Sequence, residues 1–191
     1  MRINSIAVIL SAAFGIAFGM SISQRSELTH FVAADEPAKP ATDLATLQAE
    51  IEHLKKIAPD QAHAMQDVDY HFTNLWFAAQ QSNWPLAQFY FNETRSHLRW
   101  AVRIIPVRKD NSGKEIKLED ILQSLENSPL KQLEEAVTEK SRDKFVAAYE
   151  FTLTTCYSCH KAADKPYLRP RIPDHPATGM INFDPNATWP K

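Results

Sequence analysis

Two cysteines and a histidine lie close together near the C-terminal end of the chain, as Cys156, Cys159 and His160. Two cysteines spaced by two residues and followed at once by histidine are typical of covalent haem attachment. At this spacing two thiols can form thioethers with the two vinyl groups of one porphyrin, and the adjacent imidazole can bind the iron. On a helix the three side chains share one face. Because the chain has no other cysteine, the sequence predicts one covalent haem c with His160 as proximal ligand.

Other chemistries of a Cys-x-x-Cys pair fit this chain less well. A thioredoxin-like pair follows a strand and opens a helix, whereas residues 145–155 have a helical pattern that puts the motif near a helix C-terminus. A structural zinc site takes four ligands, and the chain has no second cysteine pair. A plain disulfide leaves His160 without a role. Haem attachment is therefore the favoured interpretation.

The second axial ligand is expected from residues at the same level of the fold as His160. Met65 lies on the apolar stripe of a predicted helix at 61–81, and a thioether ligand raises the reduction potential of a haem. Methionine is also a common filler of core space. His63 points about 200° away from Met65 on the same helix. The alternatives are His71, His175, Met180, or no sixth ligand at all.

Arg103, Arg169 and Arg171 are the candidates for ionic contacts with the haem propionates. Arg103 belongs to a row at spacing four, with Arg95 and Arg99, that runs towards the predicted haem end of its helix. The row is also compatible with a docking surface for a redox partner or with an ordinary solvated helix face. Arg169 and Arg171 follow the haem helix closely in sequence.

Composition favours an all-α fold, because only four of the 191 residues are glycine and good helix formers are abundant. The formal net charge of −2 offers no case for a nucleic-acid partner. Apolar periodicity predicts four helices with short links, which form an antiparallel up-down-up-down bundle. Pro129 must kink or break the third helix, and residues 107–117 are predicted to be a polar loop. The predicted bundle helices lie at about 61–81, 84–105, 118–140 and 142–164.

The N-terminal residues 1–34 are predicted to be a targeting segment. Arg2 supplies a positive charge, an apolar run follows at 6–22, and residues 32–34 form a small-residue cleavage site. The apolar run is also almost long enough to be an uncleaved membrane anchor. In either case the rest of the chain is expected in the periplasm, where it is soluble after cleavage or anchored to the inner membrane.

Two further segments flank the predicted bundle at 60–165. Residues 35–59 comprise a short linker and an amphipathic helix whose apolar seam packs on its own domain or forms a homodimer through 44–54. Residues 166–191 contain six prolines, and we expect them to lie over the bundle in extended form. The seam consists of Leu44, Leu47, Ile51 and Leu54.

Residues 60–164, with a last helix that ends in Cys-Tyr-Ser-Cys-His, resemble the cytochrome c′ type of monohaem four-helix-bundle cytochromes. The resemblance implies that Cys156, Cys159 and His160 hold the haem. The proposed pairing of Met65 with His160 is similar to that of the soluble b-type bundle cytochromes. A methionine on the distal side departs from the five-coordinate iron of cytochrome c′, which favours electron transfer over gas binding.

Three functions are compatible with these patterns. The first is an exported carrier of single electrons between redox partners, and the second is a gas-binding protein with an open sixth site. The third is a haem-bearing accessory subunit of a periplasmic redox complex. Catalysis by this chain alone is not expected, because the sequence offers no convincing acid/base pair or nucleophile constellation.

Overall fold

The computed structural model describes residues 43–189. Within this range the chain is mostly helical, as the composition predicts, and a two-stranded antiparallel sheet is its remaining regular structure. The leader predicted at 1–34 and the linker at 35–40 lie outside the described residues. In chain order the elements are α1 (Leu44–Ile57), α2 (Gln61–Gln80), α3 (Trp84–Ile104), β1 (Val107–Lys109), β2 (Glu115–Lys117), α4 (Leu118–Asn127), α5 (Pro129–Thr138) and α6 (Arg142–Ala162).

The starts of α2 and α3 are fixed by side-chain caps. The Asp60 carboxylate accepts a hydrogen bond from the backbone N–H of His63 at 3.0 Å, and the Asn83 side chain accepts one from Leu86 at 3.3 Å. Such caps satisfy backbone donors that have no partner within the helix. Between the two helices, Ser82 has a φ of 57° and turns the chain within three residues. The short turn makes α2 and α3 antiparallel neighbours.

Pro129 separates α4 from α5. The predicted third helix breaks at Ser128, whose φ and ψ are −133° and −81°, and Pro129 becomes the buried first residue of α5. A proline is well placed at the start of a helix because it has no N–H to donate. Ser141 precedes α6, but its side chain makes no capping hydrogen bond.

The prediction of a loop at 107–117 is wrong, because this segment forms the β1–β2 hairpin. The Asp110 carboxylate accepts hydrogen bonds from the backbone N–H groups of Ser112 and Lys114, each at 2.9 Å. Gly113 has a φ of 86°, a conformation that glycine adopts without strain. The strands are only three residues long and largely exposed, so no apolar alternation marks them in the sequence.

One hydrophobic core joins side chains of α2 to α6. Leu75, Phe91, Leu133 and Phe145 are fully inaccessible to solvent. Tyr149 of α6 stacks on the ring of Phe72 in α2 at 4.1 Å, and its hydroxyl donates to the Phe72 carbonyl at 3.0 Å. The helix that carries the cysteines is therefore fixed directly to α2.

Helix α1 differs from the other helices because none of its residues is buried. Its seam of Leu44, Leu47, Ile51 and Leu54 is 43–71% exposed. The alternative in which this seam packs on its own domain is therefore wrong. Within residues 43–189, no helix is both long enough and apolar enough to cross a membrane.

The C-terminal segment makes defined contacts although it has no helix or strand between Pro166 and Trp189. The ring of Phe183 lies 6.3 Å from those of Phe77 and Tyr90. The Asn83 side chain donates to the Phe183 carbonyl at 3.2 Å. Further along, the Ala177 N–H donates to the buried side chain of Asn74 at 3.0 Å. These contacts attach the segment to α2 and α3.

Candidate haem site

The haem motif, defined here as Cys156, Cys159 and His160, lies in the last two turns of α6. Helix α6 continues through the motif to Ala162, so residues three and four apart share a face. Both cysteines are free and half-buried. Helical geometry alone therefore brings the two thiols and the imidazole to one side of one element.

The ring of His160 is oriented by the chain that follows α6. Its Nδ1 lies 2.8 Å from the carbonyl oxygen of Leu168. Since a carbonyl can only accept, Nδ1 carries the proton in this bond and the lone pair is left on Nε2. A ring that donates one N–H to a carbonyl while its other nitrogen faces a metal is the usual arrangement of a metal-binding histidine. His160 therefore fits the role of proximal ligand.

The chain reversal that supplies Leu168 is well defined. Asp164 has a φ of 56° and ends the helical path, and the Lys165 N–H donates to the His160 carbonyl at 2.8 Å. The Tyr157 hydroxyl donates to the Pro166 carbonyl at 3.2 Å, which fixes the segment from a second side. Helix end and following segment thus form one unit around the motif.

The surroundings of both thiols favour their protonated form. Burial raises the pKa of Cys156 to about 12, and the neighbouring Cys159 adds to the effect. Burial also raises the pKa of the Cys159 thiol, against the opposing charge of Arg108. Cysteines that exchange disulfides have lowered pKa values and are thiolates near neutral pH. Both cysteines here instead have raised pKa values, which favour the protonated thiol over the thiolate.

A chain of hydrogen bonds links the hairpin with α2, α3 and the end of α6. Arg108 of β1 donates to the side-chain oxygen of Gln61 in the first turn of α2, at 2.7 Å from Nε. Gln61 in turn donates to the Ala101 carbonyl near the end of α3 at 2.9 Å. The backbone N–H of Asn111 donates to the Asp164 carboxylate just beyond α6. The hairpin therefore contacts both the start of α2 and the end of α6, and Gln61 links the start of α2 to the end of α3.

Arg108 is a site residue that the sequence analysis missed. Its charge acts on the Cys159 thiol, and a single Gln61 oxygen accepts from two of its nitrogens. No pattern in the sequence distinguishes Arg108 from the lysines around it, because the hairpin that positions it was predicted to be a loop. It joins the candidates for a haem propionate contact.

Met65 and His63 are separated as their positions on a helix require. Met65 is half-buried and packs against the core, one turn after Gln61. His63 is exposed, and its ring bonds the Asp60 carboxylate at 2.8 Å. Of these two side chains, Met65 is therefore the one directed inwards near the haem end.

The arginines predicted to contact propionates lie in different environments. Arg103 is exposed, Arg169 donates to the Pro166 carbonyl at 3.3 Å, and Arg171 pairs with Asp174 at 3.1 Å.

The other members of the helical row pair with acidic residues of neighbouring helices. Arg95 pairs with Glu134 of α5 at 3.2 Å, and Arg99 pairs with Glu126 of α4. Their ion pairs hold α3 to α4 and α5, so neither group is free for a propionate.

The alternative ligands in the C-terminal segment are exposed to solvent. Met180 is 93% exposed, and the exposed ring of His175 bonds Asp174 at 2.5 Å. The remaining alternative, His71, belongs to a separate cluster between α2 and α3. Met65 is therefore the candidate sixth ligand that packs against the core and lies one turn after Gln61, the residue that Arg108 contacts.

Comparisons with protein-family models, with curated proteins and with solved structures find no match for this chain. The haem hypothesis therefore rests on the chain's own residues. These are the two thiols on one helical face, the oriented ring of His160, and the inward-facing Met65.

Proposed function

We propose that this protein is an exported c-type cytochrome that carries one covalent haem c and transfers single electrons between redox proteins of the periplasm. The observation that carries the proposal is the 2.8 Å hydrogen bond from His160 Nδ1 to the Leu168 carbonyl, which leaves Nε2 available to a metal. Bound haem would supply a one-electron Fe(III)/Fe(II) couple. Export would depend on residues 1–34, as a cleaved signal or through an anchor at 6–22.

Each residue of the site has a distinct role in this proposal. Cys156 and Cys159 would hold the porphyrin through thioethers, and His160 would bind the iron from the proximal side. Met65 would be the sixth ligand, and Arg108, Arg103, Arg169 and Arg171 are the candidates for propionate contacts. Both thiols and Met65 are half-buried, so each is partly shielded from solvent.

We infer that α2, α3, α4 with α5, and α6 form an antiparallel four-helix bundle, with the C-terminal segment packed on it. The shared core, the tight turn between α2 and α3, and the contacts of Phe183 and Ala177 with these two helices support this arrangement. In such bundles cofactor sites are built from side chains of facing helices. The arrangement accounts for ligands from both α6 and α2.

Substitution of Met65 tests electron transfer against gas binding. In a Met65→Ala variant we expect loss of the thioether–iron signature in the oxidised spectrum and rapid CO binding by the reduced protein. The reduction potential should fall on the order of 0.1 V, a fraction of the roughly 0.8 V range that axial ligands set. Met180→Ala is the matched control, because Met180 is almost fully exposed.

Two results would contradict the role of Met65. One is an unchanged optical and magnetic spectrum in Met65→Ala, and the other is the same loss in Met180→Ala. Rapid CO binding by the unaltered reduced protein, without prior ligand loss, would instead favour the gas-binding alternative.

We also propose that α1 pairs with α1 of a second copy of this chain. The seam places Leu44 and Ile51 at positions a, and Leu47 and Leu54 at positions d, of two heptads. A β-branched residue at a with leucine at d favours two parallel strands. Glu50 and Lys55 then occupy a g position and the following e position, where opposite charges pair between parallel helices.

Sedimentation of the haem-loaded protein tests this dimer. Isolated helices of about 12–15 residues are marginal, so we expect a concentration-dependent monomer–dimer equilibrium rather than a permanent dimer. Ile51→Asp should shift it to monomer, whereas Ala49→Asp, on the outer face of the coil, should not. A protein that stays monomeric at all concentrations, or that responds equally to both substitutions, would rule out the seam as a dimer contact.

A further inference from the structure

A second group of metal-binding side chains lies between α2 and α3. Helix α2 presents Asp67 and His71 at spacing four, and helix α3 presents Glu93 and His97 at the same spacing. Residues four apart are neighbours on one helical face. The candidate ligand atoms of His71, Glu93 and His97 all lie within 4.8 Å of one another, and the three side chains are half-buried. These four residues are called the α2–α3 cluster below.

His97 is oriented as a metal ligand would be. Its Nδ1 lies 2.9 Å from the carbonyl oxygen of Glu93, which can only accept, so the proton of this bond is on Nδ1. In the neutral ring the lone pair is then on Nε2, which lies 3.6 Å from a carboxylate oxygen of Asp67. A carboxylate oxygen of Glu93 lies 4.0 Å from Nδ1 of the same ring. Two acceptors that face each other at this distance are both satisfied by a cation between them.

His71 supplies a second nitrogen that needs a partner. Its Nδ1 is buried and, among the described residues, makes no hydrogen bond. Buried polar atoms without a partner are rare in folded proteins. The ring of His71 stacks on that of His97 with centroids 4.9 Å apart and planes 28° apart. The two imidazole rings are therefore direct neighbours across the α2–α3 contact.

Aromatic rings surround the two imidazoles. Tyr70 and Tyr90 lie 5.1 and 6.0 Å from the ring of His71, and Trp100 lies 5.9 Å from the ring of His97. The carboxylates of Asp67 and Glu93 are more exposed, with side-chain exposures of 48% and 37%. The cluster thus has an apolar wall on one side and acidic groups towards solvent, through which a cation can enter.

We propose that Asp67, His71, Glu93 and His97 bind one divalent transition-metal ion of the zinc type between α2 and α3. Two imidazoles favour zinc, iron(II) or copper over calcium and magnesium, which prefer oxygen ligands. Two carboxylates neutralise the charge of a divalent ion. Tetrahedral ligands about 2.0–2.1 Å from zinc lie about 3.3 Å apart. Side-chain rotations would have to close the 4.8 Å spread of His71, Glu93 and His97, and Asp67, which lies 3.6 Å from His97 Nε2, would be the fourth ligand.

The α2–α3 cluster is separate from the haem motif. His71 follows Gln61, a residue of the haem end, by ten positions, or about 15 Å along a helix axis. The ion would join α2 to α3 near the middle of both helices. Its binding is therefore independent of the proposed haem, and the two proposals can fail separately.

Equilibrium dialysis of the haem-loaded protein against buffered Zn²⁺, with metal content measured by mass spectrometry, tests the site. We expect one equivalent of zinc in the unaltered protein. His71→Gln and His97→Gln should each weaken binding by at least about 100-fold, since even outer-sphere partners of metal sites account for 10–100-fold. His53→Gln, on the exposed helix α1, is the control and should leave binding unchanged.

The haem spectrum distinguishes a zinc ligand from a haem ligand. We expect the spectrum to be the same with and without zinc and in His71→Gln, because His71 does not serve the haem. Glu93→Gln, which keeps the size of the side chain, should also weaken zinc binding while the protein stays folded by circular dichroism.

The metal site would be overturned by a protein that retains less than stoichiometric zinc, or by equal affinity in the unaltered protein and in His71→Gln. In either case an ion pair between His97 and Asp67 would explain the cluster. A haem spectrum that changes in His71→Gln would assign His71 to the haem instead and would equally overturn the site.

Discussion

The haem motif and the α2–α3 cluster both gather metal-binding side chains, but different numbers of helices build them. Cys156, Cys159 and His160 share one face of α6, so the period of a single helix brings them together. The α2–α3 cluster needs two helices in one register, fixed by a three-residue turn. The first arrangement is local and the second depends on packing, so the two should respond differently to substitutions.

The largest expected effect is loss of the cofactor from the local site. In the variant with both Cys156→Ser and Cys159→Ser, no thioether can form, and we expect no covalent haem in a denaturing gel stained for haem. Ser158→Ala, an exposed position within the same motif, should keep full haem content. Covalent haem in the double variant would contradict the proposal, as would a colourless unaltered protein from a host competent in cytochrome maturation.

A cavity in the core that packs α3 against its neighbours should separate the two regions. Phe91 is fully buried in the hydrophobic core that α3 shares with α2. Truncation of a buried phenylalanine costs about 3–5 kcal/mol, so Phe91→Ala should lower the free energy of unfolding by that amount and weaken zinc binding. Covalent haem should persist, because thioether bonds do not depend on core packing.

Phe89→Ala is the stability control for this variant. Phe89 is half exposed on the same helix, so its truncation should cost far less in urea denaturation. If Phe91→Ala lost covalent haem but kept its affinity for zinc, the comparison would be reversed. The haem motif would then be the site that depends on packing, and the α2–α3 cluster would be the local one.

Removal of the hydrogen bond between α6, which carries the haem motif, and α2, which carries His71, should lower stability by a smaller amount. The Tyr149 hydroxyl donates to the Phe72 carbonyl, next to His71 in sequence, and burial raises the pKa of Tyr149 so that the donor stays protonated. We expect Tyr149→Phe to lower the free energy of unfolding by about 1 kcal/mol.

Tyr157→Phe removes an exposed hydroxyl bond on the same helix and is the matched control. We expect it to change stability by no more than about 0.5 kcal/mol, the usual range for surface substitutions. Equal effects of the two substitutions, measured by urea denaturation, would show that the buried bond does not link the helices.

The smallest expected effect lies at the start of α2. Hydrogen bonds from the ring and backbone of His63 lower the pKa of Asp60 below its ordinary value of 3.8. The charged cap therefore contributes above the unfolded-state pKa, and its contribution is lost as the pH falls through the lowered folded-state pKa. Asp60→Asn keeps an accepting cap but removes this titration.

Thermal denaturation from about pH 5 to about pH 2.5 tests the cap. The midpoint of the unaltered protein should fall more steeply over this range than that of Asp60→Asn. Asp69→Asn, an exposed carboxylate on the same helix, is the control. Because a weakened cap frays only the first turn of α2, the packing of Met65 should be disturbed more than that of His71. A parallel pH dependence in all three proteins would contradict the role of Asp60.

Much of the helical structure could be predicted from local signals. Asp60 and Asn83 begin α2 and α3 as capping residues should, and Pro129 breaks the third predicted helix as its missing N–H requires. The hairpin at 107–117 was missed, because strands of three exposed residues bury no apolar face and therefore show no alternation.

The candidate sites divide in the same way. The candidate haem motif can be recognised in the sequence because its three residues lie within five positions and their types are rare in combination. Arg108 and the pairing of Asp67 with His97 are not evident, because each depends on elements that are far apart in sequence. The arginine row was visible, but the pairing of Arg95 with Glu134 required the position of α5.

The sequence alone determined that the described chain is mostly helical, where its main helices begin, and that two thiols and an imidazole share a helical face, since these follow from propensity, capping and the helical period. Tertiary structure decided that α1 presents its seam to solvent, that Leu168 orients His160, and that the side chains of the α2–α3 cluster meet. These facts depend on which elements become neighbours, and the burial of a common core decides that, not the local pattern of residues.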